Sequence, residues 1–123
     1  FAHPMIKKQS YRYNGVNNYA QDIADSRTFG FVKDVEQLRS MGLAKGSSVE
    51  NAIALTDDGI MNEGLRHPDE FIRHKILDCM GDLYLAGNII AAVSGYKIGH
   101  QMNNLILHEL FKNPENYAIV TDR

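Results

Sequence analysis

The clearest pattern of polar and apolar positions lies between residues 71 and 83. Three polar residues recur at every fourth position, and on a helix of about 3.6 residues per turn they form one stripe: His74, Asp78 and Asp82. Apolar residues gather on the other side of the same helix: Ile72, Ile76, Cys79, Met80 and Leu83. The pattern predicts an amphipathic helix from about Pro68 to Leu85 that stops at Gly87.

A second helical pattern begins at His100, directly after Gly99. Its apolar positions recur at helical spacing and the run ends before Pro114: Met102, Leu105, Ile106 and Leu110. His100 is therefore predicted at a helix N-terminus. There the helix dipole disfavours a protonated imidazole unless a nearby carboxylate stabilises its positive charge. Asp82 is the natural candidate for that carboxylate.

The remaining patterns are shorter. Near alternation or branched residues predict strands at 6–13, 49–55 and 89–96, and Arg27–Phe31 reads as an extended segment. Short helices are predicted from Asn17 or Asn18 to Ala24 and from Lys33 to Met41, the latter stopped by Gly42. Helices and strands without regular alternation indicate an α+β fold, a sheet with two helices packed on one face.

Composition narrows the class of protein. The 123 residues suit one domain, and 44% hydrophobic residues suffice for a core. A net charge of −2, from 13 basic and 15 acidic residues spread along the chain, argues against a nucleic-acid partner. Neither a transmembrane segment nor a signal peptide is visible, so a cytoplasmic location is predicted. Because the chain opens on Phe1 rather than methionine, we expect it to be a piece of something longer.

The single cysteine and the polar stripe each allow two interpretations. Cys79 is predicted to be a buried structural thiol rather than a reactive one. A histidine followed four residues later by an aspartate can grip one Zn²⁺, and a catalytic site needs a third protein ligand and a water. A solvated amphipathic helix shows the same His74/Asp78 spacing by chance, so spacing alone leaves both alternatives open.

Five ordered motifs carry a resemblance that covers nearly the whole chain. They are Ser26-Arg-Thr-Phe-Gly-Phe31, Asn62-Glu-Gly-Leu-Arg66, Pro68-Asp-Glu-Phe-Ile-Arg-His-Lys-Ile-Leu-Asp78, Gly81-Asp-Leu-Tyr84 and Tyr96-Lys-Ile-Gly-His100-Gln-Met-Asn-Asn104. The chain resembles the C-terminal domain of the zinc-dependent UDP-3-O-acyl-N-acetylglucosamine deacetylase family, which performs the committed step of lipid A synthesis in Gram-negative bacteria. The resemblance implies that residues 1–123 are the second of two similar α+β domains. It also implies that a strand–helix–strand insert at about 31–61 forms a passage for the substrate's acyl chain.

The same resemblance implies a role for each matching residue. His74 and Asp78 would be two of three zinc ligands, and Lys75 would contact the diphosphate of the UDP-sugar lipid substrate. Asp82 would orient His100, which would act as a cationic acid or electrostatic stabiliser. Thr28 would help polarise the amide carbonyl, and Phe29 would line the sugar site.

Two departures from the family pattern limit what this chain can do alone. The third zinc ligand and the general-base glutamate belong to the family's N-terminal domain, and nothing in this chain matches that segment, so we expect the 123 residues alone to be inactive. Gly46-Ser47-Ser48 stands where the family usually has paired glycines, which puts the acyl-chain preference in doubt.

Other interpretations stay open at the level of sequence. A non-catalytic domain of the same fold could bind acyl or nucleotide-sugar groups and use the stripe for solvation. A metal phosphohydrolase is the second alternative, although such sites usually gather more carboxylates. Phe29 could be a core residue, and the other histidines are predicted to be exposed or structural: His3, His67 and His108.

Overall fold

The computed structural model describes residues 3–14, 19–42, 48, 50–62 and 64–120. The chain divides into two compact units, Phe1–Leu77 and Asp78–Arg123. The boundary falls inside one continuous helix, Glu70–Leu83.

The first unit is built around a parallel strand pair. It contains the short helix α1 (Tyr19–Asp22), strand β1 (Thr28–Phe31), helix α2 (Val32–Ser40) and strand β2 (Ala52–Leu55). β1 pairs with β2 in parallel, with Thr28 opposite Ala52 and Phe31 opposite Leu55. A parallel pair needs a crossover, and α2 supplies it. The mixed α+β class predicted from the sequence is therefore confirmed.

The core of this unit lies between the strand pair and the first turn of the long helix α3 (Glu70–Leu83). Phe71 is 1% exposed and shares a cluster with Ile6, Ile53 and Leu55. Partly buried apolar side chains surround that cluster: Phe29, Phe31, Ile60 and Leu65. Packing at Phe71 thus attaches the start of α3 to the sheet.

The second unit contains the end of α3, a 3₁₀ turn at Tyr84–Ala86, helix α4 (His100–Lys112) and a further 3₁₀ turn at Pro114–Asn116. Gly87 has a φ of 84°, a left-handed conformation that glycine adopts without strain, and its N–H donates to the carbonyl of Tyr84. The predicted stop at Gly87 and the predicted start of α4 after Gly99 are both confirmed.

Two predicted strands were wrong. Residues 9–14 do alternate between half-buried and exposed positions, but no strand is assigned between residues 6 and 13. Alternation sorts side chains to two sides, whereas a strand also needs a neighbour for its backbone groups. Residues 89–96 also form no strand: they are irregular and exposed, with Ile90 90% exposed, and no strand among the described residues pairs with their backbone groups.

The apolar stripes of the long helices are also less buried than predicted. Within α4 the buried residues are Asn103 and Leu107, while Met102, Leu105 and Ile106 are more than half exposed. On α3, Met80 is 40% exposed and Cys79 is half-buried rather than buried. An apolar stripe becomes core only where another element covers it. No helix in the described part of the chain is long and apolar enough to cross a membrane.

Candidate active site

His74 and Thr28 face the same cleft in the first unit. The cleft measures about 330 Å³ and is lined largely by polar residues: Ala24, Asp25, Ser26, Arg27, Thr28, Glu50, Asn51, Arg66 and His74. Thr28 opens β1 and His74 lies one turn into α3. The structure thus brings together two residues that the resemblance assigns to the zinc and carbonyl sites.

A hydrogen bond determines which nitrogen of the His74 ring carries the proton. Its Nδ1 lies 2.9 Å from the backbone carbonyl oxygen of Ser26. Because a carbonyl only accepts, Nδ1 must carry the proton and donate it. The lone pair of the neutral ring is then on Nε2, and a backbone carbonyl on the opposite nitrogen is the usual support of a metal-binding histidine. The chemistry of His74 therefore fits a metal ligand.

A second polar group lies wholly within the second unit. His100 Nδ1 lies 2.6 Å from Asp82 Oδ2, and the Nδ2 amide of Asn103 donates to the same oxygen at 2.9 Å. His100 Nε2 lies 3.7 Å from Asp78 Oδ2. Each ring nitrogen of His100 therefore has a carboxylate nearby, and the predicted approach of Asp82 to His100 is present.

The electrostatics of this group favour a charged Asp82. The hydrogen bond from Asn103 lowers the pKa of the Asp82 carboxyl below its usual range; partial burial acts in the opposite direction, and the hydrogen bond and charge of His100 lower it further. Asp82 is thus held as a carboxylate at neutral pH and can accept a hydrogen bond from the Nδ1–H group of His100.

Phe29 and Lys75 lie close to each other on the first unit. The Phe29 ring packs edge to face against Phe71, with centroids 5.0 Å apart, and Lys75 Nζ lies 5.8 Å from the Phe29 ring centroid. Phe29 is therefore half-buried against the core. Packing and substrate contact are compatible for such a ring, and its sugar contact stays a prediction.

Glu70 anchors the strand and the helix that carry Thr28 and His74. Its carboxylate is fully buried and receives Arg27 Nε at 2.9 Å, Arg27 Nη2 at 3.1 Å, and the backbone N–H groups of Arg27 and Arg66 at 2.8 Å each. Burial raises the pKa of Glu70, but the hydrogen bonds and charge of Arg27 and the N–H of Arg66 outweigh it, so the pKa lies below the usual range. No local sequence pattern predicts this ion pair, because Arg27 and Glu70 are 43 positions apart in the chain.

Two of the remaining histidines have structural contacts. His3 is buried, with Nε2 2.6 Å from the carbonyl of Thr56 and Nδ1 accepting the N–H of Met5. His67 Nε2 lies 2.7 Å from Asp25 Oδ1, and Nδ1 lies 3.2 Å from Arg73 Nη1. His108 is exposed on α4. These placements match the predicted exposed or structural roles.

Asn103 is a candidate functional residue that the sequence analysis left without a role. The signal that could have found it is its spacing: it follows His100 by three residues, so the two share one face of α4.

The two proposed zinc ligands belong to different units of the chain. His74 belongs to the first unit and Asp78 opens the second, although both lie on α3 four residues apart. Among the described residues, no group of three or more His, Cys, Asp and Glu side chains could hold a metal ion. The zinc assignment of His74 and Asp78 stays a prediction from helical spacing and the family resemblance, and the His74 tautomer is compatible with it.

The fold and these polar groups indicate the class of protein. A hydrogen-bonded histidine–aspartate pair, together with a second histidine whose Nδ1–H donates to a backbone carbonyl and leaves Nε2 able to bind a metal, is typical of a hydrolytic enzyme domain. The profile of the LpxC family, described as UDP-3-O-acyl N-acetylglycosamine deacetylase, matches residues 1–112. The chain belongs to this family.

Individual relatives agree with the family match. UDP-3-O-acyl-N-acetylglucosamine deacetylases from Psychrobacter sp. (strain PRwf-1) and Nautilia profundicola are each 50% identical to the chain over 98% of its length. The enzyme of that name from Myxococcus xanthus is 46% identical over 100%. The chain spans 42%, 42% and 40% of these three relatives, respectively, about two fifths of their length.

Proposed function

We propose that the protein containing this chain hydrolyses the N-acetyl group of UDP-3-O-acyl-N-acetylglucosamine, the committed step of lipid A synthesis. Water adds to the amide carbonyl, the C–N bond breaks, and acetate and a free amine are released. The single observation that carries the proposal is the His100–Asp82 contact of 2.6 Å, in a chain that is 50% identical to relatives named for this activity. The 123 residues would supply part of the site, and a preceding N-terminal domain would supply the rest.

His74 and Asp78 would be the zinc ligands of this chain. Support comes from their spacing on α3 and from the Nδ1–H of His74, which donates to the Ser26 carbonyl. When bound, Zn²⁺ would supply Lewis acidity and lower the pKa of a water ligand. The third ligand and the general base would come from the N-terminal domain.

His100 would act on the oxygen and nitrogen of the scissile amide. Asp82 accepts a hydrogen bond from the Nδ1–H group and stabilises the protonated ring, so Nε2–H can stabilise developing negative charge and then donate its proton to the leaving amine. Thr28 would help polarise the carbonyl, and its position on the cleft that His74 also lines supports that role.

Substrate binding would use residues of the first unit. Lys75 would contact the diphosphate as a point charge, and Phe29, whose ring lies below the Lys75 ammonium, would line the sugar site. Helix α2 and strand β2 lie within the insert at about 31–61 that would form the acyl passage, and β1 ends at the first residue of that insert. Part of its loop, at Gly46 and Ser47, lies outside the described residues.

The experiment that tests the proposal is zinc removal from the full-length protein. Treatment with a chelator should abolish release of the free amine from UDP-3-O-acyl-N-acetylglucosamine, and added Zn²⁺ should restore it. His74→Ala should lose bound zinc and activity together, whereas His108→Ala, which removes an exposed histidine on α4, should keep both. Full turnover by the metal-free protein would refute the zinc proposal.

The competing interpretation is a non-catalytic domain that binds acyl or nucleotide-sugar groups. It predicts that the full-length protein binds the substrate but never releases amine, with or without Zn²⁺. The His100–Asp82–Asn103 hydrogen bonds favour the enzyme, because a surface stripe that serves only solvation has no need of a buried amide behind its carboxylate.

A further inference from the structure

Asn103 stands out on α4 because it is a polar residue on the buried side of the helix. It is 4% exposed, whereas the side chain of His100, one turn earlier, is 67% exposed. Within α4 it shares burial with Leu107 alone. A buried amide is costly unless it is hydrogen-bonded, so its partner indicates why it is there.

That partner is the oxygen atom that His100 also contacts. Asn103 Nδ2 and His100 Nδ1 lie 2.9 Å and 2.6 Å from Asp82 Oδ2. Asp82 as a carboxylate only accepts, so the amide must present its nitrogen, and the opposite orientation of the Asn103 amide would place two oxygens against each other. The orientation of Asn103 is therefore determined by Asp82.

The three groups are held by two helices. Asp82 lies in the last turn of α3, and His100 and Asn103 lie three residues apart in the first turn of α4. A carboxylate with one donor can rotate about its χ2 torsion, which is broad for aspartate. A second donor, buried and fixed to the helix that also carries His100, restricts that rotation.

We propose that Asn103 is a positioning residue that holds the Asp82 carboxylate so that it accepts a hydrogen bond from the Nδ1–H group of His100 and keeps His100 Nε2 directed toward the reacting amide. This inference rests on the proposed function, and it adds a third member to the His100–Asp82 pair. Asn103 itself contacts neither substrate nor metal in this scheme.

The kinetic test uses the full-length enzyme and four forms: wild type, Asn103→Ala, Asp82→Ala and the double variant. Hydrogen-bond partners that orient metal ligands typically contribute 10–100-fold, and by the same reasoning we expect Asn103→Ala to lower kcat by about 10–100-fold with little change in KM. If Asn103 acts through Asp82, the same substitution in the Asp82→Ala background should lower kcat by less than about threefold. An equal loss in both backgrounds would overturn the inference.

The matched control is Asn104→Ala. Asn104 is the same residue type at the next position of α4, but it is exposed. Its substitution should leave kcat and KM near wild type. A comparable kcat loss in Asn104→Ala would show that α4 tolerates no change, and would refute a specific role for Asn103.

A spectroscopic readout separates positioning from folding. In ¹⁵N-histidine-labelled full-length protein, with the resonance assigned by its absence in His100→Ala, His100 should carry a slowly exchanging Nδ1 proton. Asn103→Leu, which keeps side-chain volume and removes the donor, should speed that exchange while the denaturation midpoint changes little. Unchanged exchange would overturn the inference.

Two outcomes distinguish this inference from the proposed function. If the wild-type protein releases no amine, the proposed function fails, and the Nδ1 exchange still decides whether Asn103 positions the pair. If the variants do not fold, exchange of the Asn103 side-chain amide in the wild type decides: protection supports the hydrogen bond to Asp82, and rapid exchange refutes it.

Discussion

At the scale of single residues, exposure separates the catalytic interpretation of His100 from a structural one. His3 and His67 have both ring nitrogens engaged by groups within the first unit, which is typical of structural histidines. His100 instead has a side chain that is 67% exposed, while the carboxylate it contacts is largely shielded. An exposed ring held by a fixed carboxylate is suited to contact a substrate.

His100→Ala in the full-length protein should lower turnover by about 10²–10⁴-fold, because losing a general acid or one oxyanion stabiliser typically costs that much. Zinc content and stability should change little, since few contacts bury the ring. Turnover, metal content and the denaturation midpoint should be measured on one preparation, with His108→Ala as the control. A variant destabilised by about 1–3 kcal/mol that keeps near-normal turnover would make His100 a structural residue.

Asp82→Asn should change the pH dependence of the reaction. Asp82 is charged at neutral pH, and its negative charge favours the protonated form of the histidine it contacts. Removing that charge should move the basic limb of the pH–rate profile to lower pH while bound zinc is retained. An unmoved limb would show that the two groups are uncoupled, and loss of zinc would place Asp82 among the ligands.

At the scale of elements, the start of α3 is fixed by a buried ion pair as well as by Phe71. Glu70 lies one residue before Phe71 and takes hydrogen bonds from Arg27, which directly precedes β1. The pair therefore sets the strand that carries Thr28 against the helix that carries His74. Sequence periodicity could not reveal it, because an acidic residue in the first helical turn is also what the helix dipole favours.

Glu70→Gln should destabilise the protein by about 3–5 kcal/mol, because it removes the carboxylate charge that is paired with the largely buried Arg27. Denaturant unfolding of the full-length protein measures the change. Asp69→Asn is a suitable control, because Asp69 pairs with Arg73 at a more exposed position, where ion pairs contribute about 0–1 kcal/mol. Equal effects of the two substitutions would contradict this account.

The same pair predicts acid sensitivity. The pKa of Glu70 is lower in the folded protein than in the unfolded chain, so its contribution to stability is complete above the unfolded value of about 4.3 and is lost as pH falls through the folded value. Wild-type stability should therefore decline below about pH 4 more steeply than that of Glu70→Gln. Parallel pH dependences would show that Glu70 does not titrate differently on folding.

At the scale of the whole molecule, the chain is about two fifths of its relatives' length. Large apolar side chains are exposed in the second unit, among them Leu85, Ile90 and Phe111.

The isolated 123-residue chain should bind Zn²⁺ far more weakly than the full-length protein, because two protein ligands leave the rest of the coordination to water. Calorimetric titration of both proteins measures the difference, after circular dichroism has verified that the isolated chain is folded. Tight, stoichiometric uptake by the isolated chain would contradict the prediction and would require a third ligand from within it.

The sequence by itself determined the two long helices, the stop at Gly87, the start after Gly99 and the likeness to the family. Those features depend on local rules: periodicity for α3 and α4, and a left-handed glycine at Gly87. The motifs also identified the candidate metal-binding and catalytic residues: His74, Asp78, Asp82 and His100. Their roles stay predictions, because spacing reports residue types and not the atoms they meet.

Tertiary structure alone decided which faces are buried and which polar groups meet. The pattern predicted strands at 6–13 and 89–96, but a strand forms only where another segment of the chain pairs with it. β1 pairs with β2, whereas the two predicted segments form no strand. Likewise, Glu70 meets Arg27 across 43 residues, and Asn103 meets Asp82 across 21. Contacts between residues far apart in sequence leave no periodic signal in a single chain, so only the folded arrangement reveals them.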